Sequence, residues 1–148
     1  MAESNQYLRL VVRGGDFLLP SEASLAIEQR SNLTPEPDRA NPVTAWRVGR
    51  TERWPAVRVG GNLERIDNDN WERAVFLHAR PYPVGIIVDD VQMLPRMDVD
   101  VEPLAPLGAA PTAAGHLFSG AWVRGNRLTL VFAPTALVAY LYRLGGAR

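Results

Sequence analysis

Turn-forming residues interrupt this chain about every ten residues, and the intervals hold short apolar runs rich in Val, Ile, Leu and aromatics. That spacing predicts many short strands and leaves no room for alternating βαβ units, which need helices of ten residues or more between strands. The run "YLRLVV" (Tyr7 to Val12) and the run "FLL" (Phe17 to Leu19) flank "RGGD", whose glycines suit the positive φ of a tight hairpin turn. "VTAWRVGRTERWPAVRV" predicts two strands around "GRTE". "WERAVFLHARPYPVGIIVDDVQML" predicts a strand, a Pro-rich turn and a second strand. Near the end, Leu117 to Val123 and Arg127 to Phe132 flank "RGN" as a further hairpin.

Two short helices complete the prediction. Ser21 stands as an N-cap for "SEASLAIEQR", with Glu22 in the first turn and Ala23, Ala26 and Ile27 on one face. Pro134 opens the second, along which Leu137, Tyr140, Leu141 and Leu144 form an apolar stripe that Gly145 ends. "PRMDVDVEPLAPLGAAPTAAG" predicts a long crossing loop with one short strand. The expected class is mainly β, antiparallel barrels or a sandwich, in one domain spanning residues 1–148.

Charge and composition narrow the function. Sixteen basic residues balance sixteen acidic ones, and no run of five like charges exists, so a nucleic-acid or anionic-membrane surface has no support. Every basic residue is Arg, whose planar fork suits protein interfaces. Without cysteine there is no disulfide, thiolate catalysis or Cys-based metal site. The polar start "MAESNQYLRL" is unlike a signal peptide, and no window approaches the roughly 18 apolar residues of a membrane span, so a soluble, cytoplasmic protein is expected.

No catalytic constellation emerges. His78, inside "AVFLHA", reads as a partly buried structural histidine, and His116 as a surface residue; neither has metal-binding spacing. Ser119 lacks the first glycine of a nucleophile elbow, and the Gly14-Gly15, Gly60-Gly61 and Gly145-Gly146 doublets lack phosphate-loop spacing. In "IDNDNWE", residues Asp67 to Asn70 miss the calcium-loop order because Trp71 occupies a ligand position. Trp46, Trp54, Trp71 and Trp122 lie on different strands and read as core or interface anchors. Asp89 and Asp90 are the remaining candidates. Neighbours on a strand point to opposite faces, so a shared site is not expected of them. A small β-barrel ligand binder or enzyme using this pair stands as the alternative reading. No metal or cofactor is expected.

The order of these elements resembles the CheW-like domain of bacterial chemotaxis and twitching-motility arrays. "YLRLVVRGGDFLLPSEASLAI" resembles the family's opening, and "GRTERWPAVRV" its "RGxxxPVVDL" strand, with Arg50 at the Arg and Pro55 at the Pro. "VGIIVDDVQML" is similar to "GLLVDxVxxV", and "LFSGAWVRGNRLTLVFAPTALV" to the closing hairpin and helix. The resemblance implies two intertwined five-stranded SH3-like β-barrels sharing a core, with a lobe boundary in roughly residues 75–90. It also implies a non-catalytic adaptor, with a CheA-type histidine kinase and a methyl-accepting chemoreceptor as partners. The same resemblance sets Arg50 in the region that couples receptor and kinase, and Ile27, Val84 and Ile86 near an apolar groove between the lobes. Thr51, Arg58 and Ala133 depart from the family pattern, and Ala26 stands where many members carry a receptor-contacting acid, marking a divergent member.

Overall fold

The computed structural model describes residues 6–67, 70–104 and 115–145. Among them are twelve strands: β1 (Gln6–Val12), β2 (Gly15–Pro20), β3 (Ser24–Gln29), β4 (Thr34–Pro35), β5 (Ala45–Val48), β6 (Arg53–Arg58), β7 (Arg73–Leu77), β8 (Val84–Val88), β9 (Asp90–Pro95), β10 (Val101–Pro103), β11 (Phe118–Arg124) and β12 (Arg127–Phe132). One α-helix, α1, spans Pro134–Leu144.

The strands form two six-stranded sheets. The first runs β10-β11-β12-β2-β1-β9 and the second β3-β7-β8-β6-β5-β4. Each contains one parallel pair, β12 with β2 and β6 with β8, and is otherwise antiparallel. The chain leaves the first sheet after Pro20, builds the whole second sheet, and returns at Asp90. The second sheet is therefore an insertion between the two parts of the first. It is curled: Glu28 on edge strand β3 reaches Arg47 on β5 at 2.6 Å. The mainly β, two-lobed fold is the predicted one, and the sixth strand of each sheet, β4 or β10, is only two or three residues long.

One apolar core joins the sheets. Leu8, Leu10, Leu19 and Phe132 of the first meet Val57, Val75, Leu77, Val84 and Ile86 of the second, with Leu137 and Leu141 of α1 against both. Phe17, Phe118 and Phe132 pack as a trio with centroids 4.9 to 5.8 Å apart. Burying one such side chain is worth about 1.5–3 kcal/mol, so the shared core binds the sheets into one folding unit. Smaller clusters fill each sheet's other face: Leu18, Val99 and Val131 in the first, and Ala56, Trp71, Phe76 and Ile87 in the second.

Two expectations need correction. Residues Ser21 to Arg30 are not a helix but two single 3₁₀ turns (Ser21–Ala23 and Arg30–Asn32) around strand β3. Pro20 holds the capping position and no side chain caps the turn. A helix of two turns is marginal alone, whereas pairing with β7 satisfies the same backbone and lets exposure alternate along the strand. His78 is exposed, because β7 ends at Leu77 and the chain there turns outward; its N–H donates to the Ala23 carbonyl. Helix α1 starts at Pro134 with Ala133 as its uncapped boundary, and Leu137 and Leu141 of the predicted stripe are buried.

Two of the glycine doublets, Gly14-Gly15 and Gly60-Gly61, meet. The Gly61 N–H donates to the Arg13 carbonyl at 2.6 Å, and a Cβ at Gly61 would lie 2.5 Å from the Gly14 carbonyl carbon. Gly14 itself has φ +87°, as the hairpin turn requires. The β1–β2 turn of one sheet thus rests on the loop after β6 of the other with no room for a side chain. Gly61→Ala is expected to destabilise the chain by about 1–3 kcal/mol through overpacking against backbone, read as a lower urea midpoint.

Candidate functional site

The sequence singled out the acidic end of β8, and its geometry separates the two carboxylates. Asp89 is the single residue between β8 and β9. Its N–H donates to the Val11 carbonyl of β1 at 2.8 Å, while its Oδ1 accepts from Arg58 Nη2 at 2.7 Å. Arg58 lies on β6, in the other sheet, with its side chain 1% exposed against 33% for Asp89. Arg58 also donates to the Asn70 carbonyl, and its backbone N–H to Thr44 Oγ1. Asp90 is exposed, and its carboxylate accepts the N–H of Val91 next to it. Both acids border a shallow depression of about 790 Å³ with Arg30, Glu72 and Arg73. Asp89 is nevertheless committed to Arg58, so the pair does not converge on a common reacting centre. Among the described residues no three His, Asp or Glu side chains cluster as metal ligands. Asp67 pairs with Arg65 at 3.2 Å; Asn68 and Asp69 of the acidic loop lie outside the described residues.

A cleft of about 230 Å³ opens between the second sheet and the end of α1, lined chiefly by Trp46, Pro55, Val57, Val84, Leu141 and Tyr142. The Tyr142 hydroxyl donates to the Tyr82 carbonyl, and the two rings meet edge to face at 5.4 Å. Burial pushes the Tyr142 phenol above its ordinary pKa. Behind two of the lining residues, Trp46 and Asn41, Glu36 accepts from Trp46 Nε1, Asn41 Nδ2 and the Asp38 N–H at 2.8 to 3.0 Å. Those bonds, the backbone one first and the indole next, hold its carboxyl below the usual 4.5.

The four residues expected in partner binding occupy different situations. Ile27, Val75, Ile86 and Val57 lie opposite one another across β3, β7, β8 and β6, forming one row on the core face of the sheet. Ile86 is wholly buried in that row and supports it from within, while Ile27 is its exposed end, with 39% of its surface in water. Val84, on the same face of β8, is 1% exposed at the floor of the cleft. Arg50 stands apart in the exposed turn between β5 and β6, which the Gly49 N–H closes onto the Glu52 carbonyl. Ile27, Val84 and Ile86 thus share one face of the second sheet, where only Ile27 reaches the surface, and Arg50 lies apart from them.

Sequence reasoning missed the arginines that close the two lobes. Each tryptophan carries a guanidinium over its ring: Arg53 on Trp46, Arg47 on Trp54, Arg30 on Trp71 and Arg124 on Trp122, at 3.6 to 4.7 Å. Arg47 is held between Trp54 and Glu28, and Arg124 donates to the buried Thr129. Burial, the largest influence, lowers the Arg124 pKa. Only Arg124, two residues after Trp122 on the same face of β11, had a local signal; Arg47 meets Trp54 across β5 and β6, which adjacency in the sequence does not show.

No family model and no curated protein matches the chain. It is similar in structure to the scaffolding protein TtCheW from Thermoanaerobacter tengcongensis, with 15% sequence identity over 89% of each chain and a TM-score of 0.59. The fold is thus the CheW-like one that the ordered motifs predicted.

Removing Asp89 leaves Arg58 buried without its carboxylate. Asp89→Ala is expected to cost about 2–3 kcal/mol, less than the ~3–5 of a wholly buried pair because a third of Asp89 faces water. Asp90→Ala should stay within about 0.5 kcal/mol; urea unfolding of both variants checks the contrast. The depressed Glu36 pKa gives a second expectation. Its contribution is fully present above the unfolded carboxyl's pKa and is lost as pH falls through the folded value. The stability margin of the native chain over Glu36→Ala should hold from neutral pH down to about 5 and shrink below about 4.5.

Proposed function

We propose that this chain is a non-catalytic adaptor that couples a chemoreceptor to a CheA-type histidine kinase in the bacterial cytoplasm. The observation that carries this reading is the CheW-like fold over 89% of the chain, shared with a protein described as a scaffold. Two further observations support it. The acidic pair that an enzyme would use is divided between an ion pair and a backbone bond. The surface instead offers apolar material at a sheet edge, which suits protein docking.

In this proposal Ile27 is the exposed anchor of an apolar docking surface, with Val84 and Ile86 beneath it and Arg50 as a second, charged contact on the β5–β6 turn. The receptor's helical tip would lie against Ile27, the exposed end of the apolar row, and the kinase would be held through its own CheW-like domain. The pathway is of the chemotaxis or type IV pilus kind.

Calorimetry with the kinase's CheW-like domain and with a receptor tip fragment tests the proposal. Binding of at least one is expected, weakened at least about 10-fold by Ile27→Asp or by Arg50→Glu with the fold unchanged by circular dichroism. Absence of binding to both fragments would rule the reading out.

A further inference from the structure

The two sheets have four edge strands, and three of them are guarded. β4 is two residues long and ends in Pro35, β10 is three residues long and ends in Pro103, and β9 begins with Asp90 and ends in Pro95. Short length, proline and charge are the ordinary devices that stop one edge from pairing with another. β3, "SLAIEQ", has six residues, no proline and no basic residue, and its exposed positions begin with Leu25 and Ile27, at 40% and 39% exposure. Its register shift against β7 lies between Ser24 and Ala26, leaving Ala26 to Gln29 in regular register.

We infer that β3 is a self-pairing edge, and that its occupant is the β3 strand of a second copy of this chain, antiparallel about a two-fold axis at Ile27. Three features support that partner. An isologous contact sets Ile27 against the second Ile27, and each Leu25 lies diagonal to it on the same face. The row Ile27–Val75–Ile86–Val57, buried except at Ile27, then meets the same row of the other copy at the axis, so that pairing covers its one exposed end. Antiparallel pairing also lays the end of each strand that carries exposed Glu22 beside the end of the other that carries Arg30. The opposite face of β3 needs no change, since Glu28 stays on Arg47. A junction of two strands buries far less than the roughly 1,600 Å² of a standard interface, so the association is weak and concentration-dependent.

The purified chain alone tests this without kinase or receptor; since Ile27 is also the proposed receptor contact, self-pairing and receptor docking are alternative states of the same edge. Sedimentation of the native chain between about 1 and 500 μM should shift toward a dimer, as a weak interface requires. Ile27→Arg, or Leu25→Arg if the first variant does not fold, should abolish the shift. The chain has no cysteine, so Ile27→Cys introduces one thiol at the axis. Under mild oxidation it should cross-link at least tenfold faster than Val123→Cys, an exposed control on the β11–β12 hairpin. A native chain that stays monomeric throughout, self-association that survives the charged variants, or equal cross-linking rates would each overturn the inference.

Discussion

The ion pair between Arg58 and Asp89 ties together everything that makes this a two-lobed molecule with one core. Asp89 is the residue at which the chain crosses from one sheet to the other. Its amide bonds to β1 and its carboxylate to β6, so a single residue holds both sheets at the corner. Arg58 brings its charge into an almost fully buried position, and such a charge is tolerated only with a partner and further hydrogen bonds. Fixing that corner fixes the direction in which β9 leaves, and hence the face it presents to β1 along six residue pairs.

Arginine does similar work elsewhere. In a chain without lysine, each of the four tryptophans lies beneath a guanidinium, and Arg47 and Arg9 also grip acids on other strands, Glu28 across the curl of the sheet at 2.6 Å and Asp16 on the next strand at 2.7 Å. A planar cation can stack on an aromatic face while its edge donates hydrogen bonds, which an ammonium group does less well. The rims of the curled sheets are thereby sealed by side chains that are half apolar surface and half charge.

Much of this architecture was legible in the sequence. The hairpins at "RGGD" and "RGN", the pair of strands around "GRTE", and the strand Val84 to Val88 were readable because each combines a local turn signal with an apolar run. Helix α1 was readable from Pro134 and a stripe at helical spacing. The segment from Ser24 to Gln29 was misread because its preference is decided by β7, about fifty residues away, and tertiary pairing overrides a two-turn helical signal. His78 was misjudged for a related reason: the strand ends one residue sooner than its apolar flanks suggest. Of the site, the sequence drew attention to Asp89 but not to its partner. Arg58 appeared only as a departure from a family pattern, and nothing local says that an arginine in "PAVRV" faces an acid thirty-one residues later. Long-range pairs of this kind leave no periodicity to detect.

The insertion of one sheet within the other fixes an order of assembly during synthesis. Residues 24–88, which contain all of the second sheet, leave the ribosome as one continuous piece and can pair among themselves. β2, made earlier, must wait for its parallel neighbour β12, which pairs Leu130 with Phe17 and is made more than a hundred residues later. Until then the inner face of the opening hairpin, with Leu8, Leu10 and Leu19, has only the second sheet to cover it. The shared core is therefore also a shelter: the second sheet shields the β1–β2 hairpin until β12 arrives.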